Sequence, residues 1–160
     1  MISSIYLDKS AENITGNRTD YYLGEKESWQ IITDPEECFS QGKTKLNPLV
    51  YTYKKSGFYQ ININLTFQTS LVEGCLTLKF NANKSYMLFR EFANVRYEVD
   101  KYPVWFTQIV QADAGVTTKF LIWSMNFWEP DQPKVSLYGE KDLIWTTISI
   151  NYLGDSANAT

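Results

Sequence analysis

The chain has 160 residues, 44% hydrophobic, 16% aromatic and 21% charged, which suits one ordinary globular domain with a single substantial core and excludes a disordered one. Its formal charge is −3, its pI is near 5.0, and its longest basic run is Lys54-Lys55, so the basic face that nucleic acid requires is missing. There is no histidine, which nearly excludes zinc sites of the usual kinds, and no apolar stretch approaches the length that inserts into a bilayer.

Residues 1–28 are polar and rich in Asn, Thr, Ser and Gly, and are expected to form an extended N-terminal arm. Ser28 to Ile32 then predicts a first short strand, Asp34-Pro35 a turn, and Cys38 to Asn47 a loop. Regular structure follows, with strands expected at 48–54, 57–68, 74–81, 84–92, 94–99, 103–111, 117–127, 133–138 and 143–153. Turn formers separate most of them, including Ser56-Gly57, Glu73-Gly74, Asn81 to Asn83, Ala114-Gly115 and Pro130 to Pro133.

The strand at 57–68 is the clearest. Tyr59, Ile61, Ile63, Leu65 and Phe67 alternate with Gln60, Asn62, Asn64 and Thr66, so one set lies on the core face of a pleated strand and the other opposite it. A helical period of 3.6 would scatter the same residues around a cylinder. Two-fold alternation recurs at Leu76, Leu78 and Phe80, and again at Ile148, Ile150 and Tyr152. No amphipathic helix or internal repeat interrupts the pattern. The expectation is an all-β protein, an antiparallel β-sandwich of eight to nine strands over residues 29–154, closed by a short tail at 155–160.

The order of these strands has a precedent. Lys55-Ser56-Gly57-Phe58-Tyr59-Gln60-Ile61 resembles the Gly-x-Tyr strand of the complement-type globular head, which shares the jelly roll of the tumour necrosis factor superfamily. Val135-Ser136-Leu137-Tyr138-Gly139, followed by Ile148 to Gly154, resembles the last two strands of that head. The resemblance spans about residues 46–154 and implies a sandwich of jelly-roll type. It also implies a homotrimer in which aromatic residues of the sheet pack around a three-fold axis. The closing strand departs from the usual Phe-Ser-Gly-Phe, reading Ile148-Ser149-Ile150-Asn151, and no collagen-like stalk is present. Fibre heads and other virion proteins use related sandwiches, so the fold by itself does not select a function.

Large aromatic residues are numerous for one small core. Trp105, Phe106, Trp123, Phe127, Trp128 and Trp145 are therefore candidates for an assembly interface or for stacking on a ligand, with core filling as the alternative.

Catalytic chemistry finds little support. Without histidine, Ser-His-Asp and Cys-His arrangements are absent, and neither a Gly-x-Ser-x-Gly motif nor a phosphate loop occurs. Glu91, Glu98 and Glu129 are the only carboxylates placed to suggest a sandwich glycosidase, and solvated surface acids are the commoner case. Asp131, Asp142 and Asp155 raise calcium only weakly, because no dense acidic loop surrounds them, and no metal or cofactor is expected.

Five Asn-x-Ser/Thr sequons, at Asn13, Asn17, Asn64, Asn83 and Asn158, suggest a glycoprotein. The two cysteines, Cys38 and Cys75, leave open either a disulfide or two buried thiols.

The sequence thus ranks a non-enzymatic assembly or recognition module first: a trimeric head, or a capsid, spike or attachment protein of a virion. Its partners would be copies of itself and a cell-surface receptor or glycan. A monomeric carbohydrate-binding module is the alternative, and a glycosidase ranks third. MISSIYLDKS shows no basic segment followed by an apolar one, so no secretory signal is visible and the virion reading is slightly favoured for an extracellular destination.

Overall fold

The structure, a computed structural model, describes residues 1–15, 19–68, 73–81, 85–90, 101–125 and 135–155. Among them are thirteen strands and no helix. In chain order they are β1 (Ile2–Leu7), β2 (Ala11–Thr15), β3 (Tyr21–Tyr22), β4 (Trp29–Thr33), β5 (Phe39–Ser40), β6 (Val50–Thr52), β7 (Gly57–Phe67), β8 (Glu73–Phe80), β9 (Ser85–Arg90), β10 (Tyr102–Ala112), β11 (Thr117–Met125), β12 (Val135–Leu137) and β13 (Thr147–Gly154). The expected strands fall on β4 and on β6 through β13, except that 94–99 lies outside the described residues. The count exceeds eight to nine because β1, β2 and β3 lie in residues 1–28, expected as an arm, and β5, in the expected loop, is two residues long and too short to carry a visible period.

All pairings are antiparallel and form two sheets. In the first, β10, β7, β13, β1 and β4 lie side by side, and β12 takes over from β13 beside the last residue of β7, with β2 beyond it. The second runs β5-β6-β11-β8-β9, with β3 also against β11.

The alternation read from β7 survives intact. Tyr59, Ile61, Ile63, Leu65 and Phe67 are all buried, each gaining about 1.5–3 kcal/mol relative to exposure. They face Leu76, Leu78, Phe80, Phe120 and Ile122 of the second sheet within one core. At one end, Tyr51 and Tyr53 meet Tyr59 edge-on, with centroids 6.4 Å and 4.8 Å from it, and Tyr59 lies 5.1 Å from Tyr152. Gly57 opens β7 at φ +151°, and a Cβ there would come within 2.3 Å of the Gly154 carbonyl, so the approach of β13 requires glycine.

Residues 1–28 do not form an arm. β1 lies inside the first sheet between β13 and β4, with Ile5 opposite Ile148, and Ile5, Leu7, Ile14, Tyr21 and Leu23 belong to the core. The segment reads as polar because its polar groups are satisfied internally. The Glu27 carboxylate is buried and accepts hydrogen bonds from the Tyr21 hydroxyl, from Gly24 N–H (2.5 Å) and from Trp29 Nε1–H (3.3 Å). The Ser3 hydroxyl donates to Asp34 (2.9 Å), and the Ser4 and Ser149 hydroxyls pair across strands at 2.8 Å. Hydrogen-bonded polar groups tolerate burial, so composition alone misjudges such a segment.

No disulfide joins Cys38 and Cys75; both are buried free thiols. Cys38 sits in the core, its carbonyl accepting from Thr52 N–H, whereas Cys75 pairs with Trp123 on the opposite face of the second sheet. Thr52 lies opposite Thr117, six residues along β11 from Trp123, a separation of roughly 20 Å that no disulfide spans. Burial pushes both thiols above their ordinary range.

Candidate recognition surface

The outer face of the first sheet carries a strongly exposed aromatic side chain, Trp105, placed by the edge strand β10. On β10, Val104, Phe106, Val110 and Ala112 turn inward, so Trp105, Thr107, Ile109 and Gln111 turn out. Trp105 is 61% exposed and Ile109 51%. Register sets Trp105 opposite Asn64, Thr107 opposite Asn62 and Ile109 opposite Gln60 on β7, while Thr147, Ser149 and Asn151 of β13 continue the same rows.

The centre of this face is small and polar, and its groups are partnered locally. The Thr107 hydroxyl donates to Asn62 Oδ1 (3.1 Å), and the Thr147 hydroxyl donates to the Ile5 carbonyl (2.9 Å). Asn64 Oδ1 differs: it is buried and accepts no hydrogen bond from any described residue.

Apolar groups gather at both borders. β10 is one edge, and among the described residues only β7 pairs with it. β4 is the other edge, exposing Ile31, which lies opposite Ile5 on the core side of the sheet, and Ile32, with Ile2 on neighbouring β1. Four strand spacings of about 4.8 Å put these borders roughly 19 Å apart.

Beyond the end of β7, the loop 138–146 leaves beside Thr66, where Tyr138 N–H donates to the Thr66 carbonyl (2.7 Å), and returns where Thr147 pairs with Asn64. The Thr66 hydroxyl donates to the Trp145 carbonyl (2.5 Å), and the Thr146 hydroxyl to the Tyr138 carbonyl (2.7 Å). Leu143 and Ile144 protrude from this loop.

The candidates proposed from sequence are therefore dispersed. Trp105 and Trp145 belong to the first sheet's outer side, and Trp145 is half-buried. Trp123 is half-buried on the outside of the second sheet, across the sandwich from Trp105. Phe106 is not available to a partner: it is 2% exposed and packs in the core, because consecutive strand residues point opposite ways. Phe127 and Trp128 lie outside the described residues.

Of the sequons, Asn13 lies on β2 and Asn64 in mid-β7, whereas Asn17, Asn83 and Asn158 lie outside the described residues. The Asn64 sequon is closed, since its Thr66 is fully buried and its hydroxyl is engaged by Trp145. Glu91, Glu98, Glu129 and Asp131 also lie outside the described residues. Asp142 precedes β13 and Asp155 follows it, so the two are held apart by the length of that strand. No cluster of three metal-ligating side chains occurs among the described residues, nor does any helix long and apolar enough to cross a membrane.

Sequence reasoning missed Ile109, Ile31, Ile32 and the 138–146 loop. The outward phase of Trp105, Thr107, Ile109 and Gln111 was a usable signal for the first of these.

No protein-family model and no curated protein sequence matches the chain. Solved structures do. Murine APRIL superposes with a TM-score of 0.60 at 9% identity, over 95% of this chain and 98% of that one. The Eiger TNF of S. frugiperda gives 0.59 at 10% identity, over 100% and 96%. The globular domain of a zebrafish complement 1qA protein gives 0.54 at 14% identity, over 97% and 98%. The resemblance read from Gly57-Phe58-Tyr59 and from the closing strands thus holds at the level of architecture, and the chain has the jelly-roll fold of the tumour necrosis factor and complement-head type.

Proposed function

We propose that the chain is a non-enzymatic assembly and recognition module: a homotrimeric jelly-roll head, displayed outside the cell or on a virion, that binds a cell-surface receptor. The observation that carries the reading is Trp105, 61% exposed in the same outward row as Ile109 on an eleven-residue edge strand. A large ring held out by a regular strand is the kind of group that assembly buries. A second apolar border at Ile2, Ile31 and Ile32 supports a ring over a two-fold dimer. Two different patches on opposite edges of one sheet suit a heterologous contact that closes on itself, whereas an isologous dimer uses one patch twice. The trimer implied by the resemblance is such a ring. Glycans at Asn13, Asn17, Asn83 and Asn158 would complete an extracellular head, with Asn64 left unmodified.

Sedimentation velocity tests the proposal. The expected species has three times the 18.6 kDa chain mass, and Trp105→Ser lowers it. A parent chain that remains monomeric at micromolar concentration refutes it.

One observation favours a second reading, a monomeric carbohydrate-binding module. Trp105 is flanked by the amides of Asn62 and Asn64, a platform on which a sugar ring stacks. Saturable glycan binding by a monomeric chain, lost in Trp105→Ala, would select that reading over the first.

A further inference from the structure

A second site lies where the 138–146 loop meets the start of β10. The Tyr138 and Trp145 rings stand nearly perpendicular, 82° apart with centroids separated by 5.5 Å. Glu140 Oε2 ties both rings, accepting from the Tyr138 hydroxyl at 2.9 Å and from Trp145 Nε1–H at 3.3 Å. The polar edges of the two rings are thereby engaged, so their π faces and the carboxylate's charge remain as the means of recognition. The Lys101 ammonium occupies that corner, 4.3 Å from the Tyr138 centroid and 5.0 Å from the Trp145 centroid. Two aromatic faces against one ammonium, with a carboxylate fixed on the rings' polar edges, are the elements of an alkylammonium cage.

We propose that Tyr138, Glu140 and Trp145 form a binding site for an alkylammonium group, with Lys101 as its intramolecular competitor. Several features make the cage a site and not merely a clamp. All four residues are half-buried, so the corner opens to solvent. The cage is built before the cation arrives: Thr66 and Thr146 hold the backbone of Trp145 and Tyr138, and Glu140 holds their rings. Lys101 reaches it on a flexible stem from outside the loop, and it makes no ion pair within 4 Å among the described residues. A tethered competitor acts at an effective concentration set by its tether, so it weakens an external ligand without abolishing its binding.

The test titrates tetramethylammonium, choline and n-butylammonium into the full chain, with sodium chloride at matched ionic strength as control. Tryptophan fluorescence and calorimetry are the readouts. Lys101→Ala is expected to bind saturably and several-fold more tightly than the parent, because the competitor is gone. Lys101→Met keeps the aliphatic stem without the charge and should behave alike, which guards against a folding defect in the first variant. Added to either variant, Trp145→Leu abolishes the binding and Glu140→Gln weakens it. A preference for choline over n-butylammonium assigns the site to a methylated ammonium, and the reverse preference to a lysine side chain. If both Lys101 variants keep the parent's near-ultraviolet circular dichroism and none of the three cations gives a saturable response, the proposal fails. Binding that persists unchanged in Trp145→Leu also overturns it.

Discussion

Trp105 and Phe106 are adjacent in sequence and opposite in consequence, which makes them a sharp test of the arrangement on β10. Phe106 is 2% exposed inside the core, so Phe106→Ala should cost about 3–5 kcal/mol of stability through lost transfer energy and a residual cavity. Trp105 is 61% exposed, and Trp105→Ala should change the stability of an isolated subunit by no more than about 0.5 kcal/mol. Assembly changes the second figure. A tryptophan side chain offers roughly 150–250 Å², of which 61% leaves roughly 90–150 Å² still to be removed from water. At about 25 cal/mol per Å², that is about 2–4 kcal/mol per interface, or a thirty-fold to several hundred-fold change in dissociation constant. The assay pairs urea denaturation of each variant with sedimentation velocity across a concentration series. Phe106→Ala should move the denaturation midpoint at every concentration, and Trp105→Ala should move the assembly equilibrium while the dissociated subunit keeps its stability. Equal destabilisation of the dissociated subunit by both variants would refute the alternation assigned to β10. An unchanged assembly in Trp105→Ala would refute the interface.

Three further outcomes are expected. Glu27→Ala strips the partner from Tyr21 O–H, Gly24 N–H and Trp29 Nε1–H together, and should destabilise by about 3–5 kcal/mol in urea titrations, with Glu27→Gln retaining part of the loss because its amide oxygen still accepts. Burial raises Tyr21, chiefly by desolvation and then by the Glu27 charge, and likewise raises Tyr51 and Tyr59, all above the ordinary 10.0. The folded state then keeps protons that the unfolded state releases. Stability is therefore undiminished below pH 10 and falls above it by about 1.4 kcal/mol per pH unit for each such tyrosine, until its folded pKa is reached; a flat denaturation midpoint between pH 10 and 11.5 would contradict this. Cys38 and Cys75 are buried with raised thiol pKa values, so a water-soluble alkylating reagent should modify neither in native buffer and both in denaturant, as read by intact mass.

Much of the architecture was legible because a strand of two-residue period announces itself within a few residues. The inward rows of β7, β8 and β13 follow directly from Tyr59 to Phe67, Leu76 to Phe80, and Ile148 to Tyr152. Two-residue strands such as β3 and β5 carry no period and were invisible. Phe106 was separable from Trp105 in principle, since Val104, Phe106, Val110 and Ala112 share one phase. Ile109 in the opposite phase blurred that signal, because an exposed isoleucine mimics a core residue in any local window.

Residues 1–28 mark the limit of local reading. Their polar groups find partners in the fold, Ser4 at Ser149 and Ser3 at Asp34, which no window of neighbouring residues reveals. The fate of the cysteines also depended on register: Cys75 pairs with Trp123 while the backbone of Cys38 pairs with Thr52, and only strand order shows how far apart those positions are. The cage at Tyr138 and Trp145 needs Lys101, which reaches it from the start of a different strand. By itself, the chain's order of residues determined the all-β class, the core rows of its long strands and the lack of a histidine-based reaction centre, because side-chain alternation and composition are local properties. The tertiary structure decided which strands neighbour one another, which aromatic rings reach solvent and which polar groups are satisfied, because register and sheet order are set by contacts between residues far apart in sequence.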